Sequence, residues 1–162
     1  MSLFPPFLTL VLFSLVVGCS SITRPSPQLQ ADRAAVIAVA NDLFAAMRAR
    51  DADAMRALQT PKVAMIRVTE DAQPFIHVGS PDAFINAIVD APAEPRERMW
   101  DPEVRIDGDL ATLWAPYEFY LGDRFSHCGV DAFQLVRVDG VWKIVSIAFT
   151  RRNEGCDDAP PP

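Results

Sequence analysis

The chain has little of the equipment on which most enzymatic chemistry depends. Its 162 residues include only two histidines and three cysteines, and its seven glycines form no phosphate-cradling loop. No GxSxG elbow, Walker loop, HExxH or GxGxxG pattern occurs. Positive charge is also scarce: 15 Lys and Arg stand against 21 Asp and Glu, for a net charge of −6. Thirteen of the basic residues are Arg, scattered apart from Arg151-Arg152, so no basic stripe exists. This argues against nucleic acid and anionic lipid surfaces as partners, since both recruit through Lys/Arg patches. No CxxC pair and no second histidine accompanies His127-Cys128, so no zinc site is expected, and no motif calls for a cofactor. His77 lies in a short apolar segment and reads as structural.

What the chain does have begins at its start. The apolar run Phe7 to Val17 is shorter than the roughly 20 residues a bilayer crossing needs, but it fits the core of an export signal. It ends at Val16-Val17-Gly18-Cys19, which resembles the lipobox of bacterial lipoproteins. The resemblance implies cleavage after Gly18, a lipid on Cys19 and a bacterial cell-envelope location. Ser20, rather than an acidic residue, implies the outer membrane, facing the periplasm. Stable anchoring takes more than one acyl chain, at about 0.8 kcal/mol per buried CH₂, and this modification supplies several.

Residues 1–18 are thus read as a signal peptide and 19–31, rich in Ser, Pro and Gln, as a lipidated flexible tether. Residues 32–152 form one domain and 153–162 an acidic, Pro-rich disordered tail. With Cys19 lipidated, Cys128 and Cys156 remain as an even pair, a disulfide candidate in an oxidising compartment. The expected strands do not set these two opposite each other, so a bridge would require the tail to fold back.

Within the domain, Val36, Val39, Ala40, Leu43, Phe44 and Met47 recur at helical spacing from Asp32 to about Arg50. A short helix over 52–58 follows, with Asp51 as its N-cap and Pro61 as its stop. Strands are expected at 62–69 and 75–78, and Ser80-Pro81 opens a third helix carrying Phe84, Ile85, Ile88 and Val89. The second half then reads as an antiparallel meander of strands at 103–106, 111–120, 129–138 and 141–150. Asp139-Gly140 is a strong two-residue hairpin signal, and Pro116 implies a bulge or an edge position. Helices followed by strands define an α+β domain.

This order resembles the NTF2-like superfamily, in its SnoaL-like and lumazine-binding-like branches. The features that carry it are Phe44 and Met47 followed by Asp51, Asp107-Gly108-Asp109-Leu110-Ala111, the segment His127-Cys128-Gly129-Val130-Asp131-Ala132-Phe133, and Asp139-Gly140-Val141-Trp142-Lys143-Ile144. The resemblance implies a cone with three N-terminal helices packed on a strongly bent antiparallel sheet. It leaves function open, since this fold hosts isomerases, dehydratases, binding proteins and structural modules.

Pairing Val138 with Val141 fixes a hairpin register that sets Phe133 against Ser146, Leu135 against Ile144 and Asp131 against Ala148. On that face Gly129, Ser146 and Ala148 are small and lie beside His127 and Asp131, so a hollow is expected there. Its expected ligand-binding residues are Trp100 at the mouth, Tyr117, His127, Asp131, Phe133 and Ser146. The other face, with Val130, Ala132, Val136, Val138, Val145, Ile147 and Phe149, is broadly apolar and suits a second subunit. The reading of function is a lipid-anchored protein that binds a small apolar or aromatic ligand, or acts as a non-catalytic accessory module. The alternative is a cofactor-independent isomerase, dehydratase or hydrolase. It would use His127 as base with Asp131 or a tyrosine, Tyr117 or Tyr120, as partner.

Overall fold

A computed structural model describes residues 26–69, 75–156 and 159–160. The signal peptide, Cys19 and residues 20–25 of the expected tether lie outside the described residues. The first helix, α1 (Pro27–Ala49), starts earlier than expected. Ser26 caps it by accepting from the Leu29 N–H at 3.2 Å, and Pro27 fills the first turn, where a missing N–H costs nothing. Residues 27–31 are thus helical rather than tether. Helix α2 (Ala52–Ala57) is capped by Asp51, which accepts from the Ala54 N–H at 2.9 Å, and α3 (Pro81–Val89) by Ser80, which accepts from Ala83 at 3.1 Å.

Among the described residues seven strands follow: β1 (Gln59–Thr69), β2 (Phe75–Gly79), β3 (Pro95–Met99), β4 (Glu103–Asp107), β5 (Leu110–Leu121), β6 (Arg124–Val138) and β7 (Val141–Arg151). They form one sheet in the order β2-β1-β7-β6-β5-β3, with β4 also on β5. One neighbour pair departs from the antiparallel expectation: β1 runs parallel to β7, because the chain leaves β1 through β2 and α3 and returns only at its far end. Strand β3 was not anticipated. It and β4 lie end to end along β5, pairing with 117–121 and 110–114 respectively. Pro116 falls in the gap between them. Its carbonyl accepts from the Trp100 N–H at 3.2 Å, so the N–H that proline lacks would have pointed into that break.

The concave face of the sheet is buried under the helices. Val36, Leu43, Phe44 and Met47 of α1 and Ile85 of α3 meet Leu113, Ala115, Phe133, Leu135 and Ile144. At the other end of the cone Arg137 anchors α1 to the last hairpin. It pairs with Asp32 at 3.0 Å and Asp109 at 3.1 Å, and lies 4.3 Å above the Trp142 ring. The tail is fastened as well. Arg152 pairs with Cys128 through two backbone hydrogen bonds of 3.0 Å, and Cys128 and Cys156 are joined by a disulfide with their Cα atoms 5.8 Å apart.

Two bulges alter the faces that simple alternation assigns. In the β6–β7 hairpin the register slips after Leu135↔Ile144, so that Gln134 faces Ser146 and Phe133 faces Ile147. Val145 is the extra residue. Beyond it every side chain of β7 is turned over: Ile147 and Phe149 face inward, whereas Ser146 and Ala148 join Ala132 and Gln134 outside. The second bulge is Ser126, between Phe119↔His127 and Tyr120↔Phe125.

Candidate functional site

Between the helices and the concave face lies a cavity of about 140 Å³, open on one side. Cavities of this size accept a benzene ring. Its walls are apolar: Leu43, Phe44 and Met47 from α1, Phe84 and Ile88 from α3, and Met65, Phe119, Phe133, Ile147 and Phe149 from the sheet. Polar groups converge on it from five strands. They are Arg67 of β1, Glu97 of β3, Tyr117 of β5, His127 and Asp131 of β6, and Arg151 of β7.

Glu97 and Asp131 form a carboxyl pair. Burial raises Asp131 to about 7, while a hydrogen bond from Glu97 works in the opposite direction. Glu97 is raised well above the usual carboxylate range, by burial and then by the charge of Asp131 and the bond to it. Both carboxyls are thus pushed toward the neutral form, and the pair titrates as a unit. The other Asp131 oxygen, Oδ2, is buried without a partner among the described residues. A free acceptor inside a cavity is costly to leave unmatched and is available to a ligand.

Tyr117 is buried beside this pair, and its hydroxyl donates to the Thr150 carbonyl at 2.8 Å. Burial, with Asp131 and Glu97 nearby, pushes its pKa upward. Gly129 makes this arrangement possible: a Cβ there would lie 2.0 Å from the Thr150 oxygen. The Val130 N–H, displaced from the regular ladder, donates to Thr150 Oγ1 at 2.9 Å. His127 stacks on Phe119 with ring centroids 4.9 Å apart and shares a 3.0 Å hydrogen bond between Nδ1 and Ser126 Oγ. Burial, then the charges of Arg151 and Arg67, lower it to about 4, so it is neutral at pH 7.

Of the six expected ligand-binding residues, Tyr117, His127, Asp131 and Phe133 line the cavity. Trp100 and Ser146 do not. Trp100 sits at the break between β3 and β4, and the Val145 bulge turns Ser146 to the outer face, where it donates to Gln134 at 3.2 Å. Tyr120 also faces away, under the Arg96 guanidinium at 5.6 Å. The expected His127–Asp131 dyad is not formed, since His127 bonds Ser126 and Asp131 bonds Glu97. Tyr117 has its one proton committed to Thr150. Three functional residues escaped the sequence reading: Glu97, Arg67 and Arg151. Arg67 was readable, because the alternation of Val63 and Met65 puts it on the inward face. Arg151 extends the Ile147, Phe149 series only once the bulge is known. Glu97 stands in a charged segment with no strand pattern. Among the described residues no cluster of three or more His, Cys, Asp or Glu is placed to hold a metal.

A bent sheet wrapped over three helices, with a cavity at its centre, defines an NTF2-like fold. Solved structures superimpose on the chain, two of the three that follow being described as NTF2-like. A protein of unknown function from Mycobacterium tuberculosis matches with a TM-score of 0.66 and 16% identity, over 83% of this chain and 79% of that one. An NTF2-like protein of unknown function from Silicibacter pomeroyi gives 0.58 and 23%, over 76% and 98%. An NTF2-like protein from Streptomyces avermitilis, described as a "putative dehydratase", gives 0.62 and 15%, over 77% and 99%. At the level of family, residues 31–150 match the one described as "Putative lumazine-binding", and the chain belongs to it. No curated protein matches it significantly.

Proposed function

We propose that this protein binds a small molecule with a compact apolar or aromatic body, and that a lipid on Cys19 holds it in the bacterial envelope, at the outer membrane. The observation that carries the binding reading is the apolar-walled cavity with one unpartnered carboxyl oxygen, the usual form of a small-molecule site. The lipobox-like Val16-Val17-Gly18-Cys19 supports the anchor.

Both parts are tested on one preparation, extracted by detergent from the native membrane. Its intact mass should show cleavage before Cys19 plus acyl groups. A full-length, unacylated mass removes the anchor. Benzyl alcohol, a neutral single-ring probe, should bind saturably and raise Tm. Ile147→Phe, which fills the cavity from β7, should fold and lose at least about tenfold in affinity, a difference of ~1.4 kcal/mol. Absence of saturable binding to the unmodified protein overturns the reading.

A second reading rests on the Glu97–Asp131 pair. A carboxylate with a perturbed pKa in an apolar cavity suits general base chemistry. Asp131 Oδ2 would take a proton from a substrate carbon, making the protein a cofactor-independent isomerase or dehydratase with Asp131 in the role first expected of His127. The relative described as a "putative dehydratase" is in keeping with this. Solvent deuterium entering a bound substrate, and its loss in Asp131→Asn, would separate the two readings.

A further inference from the structure

Arg67 and Arg151 line the cavity, yet neither makes an ion pair among the described residues. The parallel register sets Arg67 opposite Phe149 and Thr69 opposite Arg151. The two arginines are therefore diagonal neighbours on one sheet face, with Cα atoms roughly 7 to 8 Å apart by strand geometry. Arg67 Nε is buried with no hydrogen-bond partner among the described residues. Like charges side by side on one face oppose folding, and a buried N–H left unbonded adds to that cost. The other polar groups of the cavity are engaged elsewhere: Glu97 and Asp131 bond each other, and the Tyr117 hydroxyl is turned to Thr150. An anion bound between the two guanidinium groups would offset both costs.

We propose that Arg67 and Arg151 form an anion clamp, and that the ligand is a small organic carboxylate whose apolar body fills the rest of the cavity. The proposal rests on the binding reading above and names its ligand class. A carboxylate suits the geometry, since its two oxygens can each meet one planar guanidinium. A phosphate dianion suits it less, because its second charge would have to be buried in a cavity that already holds the Glu97–Asp131 pair. The apolar wall from Phe44, Phe133 and Ile147 takes the ring or alkyl body.

The test compares benzoate with benzyl alcohol, two probes of nearly the same shape that differ in charge. The wild-type protein should bind benzoate about tenfold or more tightly than benzyl alcohol, the difference expected of a charge-assisted bidentate contact. Arg67→Gln and Arg151→Gln should each weaken benzoate about tenfold and leave benzyl alcohol within about twofold. Equal affinities in the wild type, or parallel losses for both probes in the variants, overturn the clamp while leaving the cavity reading intact. If neither probe binds the wild type, the cavity reading fails and the clamp with it. Should Arg67→Gln not fold, Arg151→Gln and the wild-type comparison decide the matter.

Discussion

Asp131 and His127 both titrate out of their ordinary ranges, in opposite senses, and the signs can be read directly as stability. Asp131 is raised to about 7, so the folded state keeps a proton that the unfolded chain releases near pH 4. Stability is full below pH 4 on that account and is lost as pH rises through 7. His127 is lowered to about 4, so the unfolded chain takes up a proton near 6.5 that the folded state refuses until pH 4. Its contribution is full above 6.5 and is lost as pH falls. The two slopes oppose each other between about pH 4 and 6.5, and above that only the carboxyl pair acts. The Tm of the wild type should therefore fall from pH 6.5 to 8.5, whereas Asp131→Asn should give a flatter profile. At pH 8 the variant should be the more stable by about 1 to 3 kcal/mol, following ~1.4 kcal/mol per pKa unit. Parallel profiles would show that the buried proton does not reside on this pair.

The disulfide between Cys128 in β6 and Cys156 beyond β7 closes 28 residues of sequence separation. On the chain-entropy argument such a loop stabilises by about 3 to 4 kcal/mol, so replacing both cysteines by serine should lower unfolding stability by that order in a denaturant titration. A change under about 0.5 kcal/mol would mean that the Cys128–Arg152 backbone pairing holds the tail unaided. Elements with a local signal were legible in the sequence: Asp51 and Ser80 as caps, Asp139-Gly140 as a turn, and the long alternating strands. The same Ser-Pro device that announced α3 also opens α1 at Ser26-Pro27, but there the Pro and Gln around it read as tether. Strand β3, Pro-Arg-Glu-Arg-Met, was illegible because a charged edge strand shows no apolar alternation. The bulges at Ser126 and Val145 leave no local mark, and Val145 alone reversed the facing of Ser146, Ile147 and Phe149. The cavity was thus placed on the correct face of β6 and given the wrong residues from β7.

With that correction, the outer face of the sheet is less apolar than the sequence suggested, since Ile147 and Phe149 turn inward. It still carries a groove floored by the small residues Ala64, Ala132, Ser146 and Ala148 and rimmed by Trp114, which is 54% exposed. A flat floor with one projecting aromatic suits an isologous contact, in which each copy's tryptophan meets the other's groove. Sedimentation at micromolar concentration should show a homodimer, and Ala132→Arg should convert it to a monomer; a wild-type monomer would count decisively against the contact. The early start of α1 bears on where the molecule works. Only seven peptide units separate Cys19 from Ser26, and at 3.6 Å each a stretched chain spans about 25 Å at most. A lipid on Cys19 would therefore keep the domain on a short leash, within roughly its own diameter of the bilayer. It would sample the layer of water against the lipid, where sparingly soluble molecules gather, and not the open space beyond.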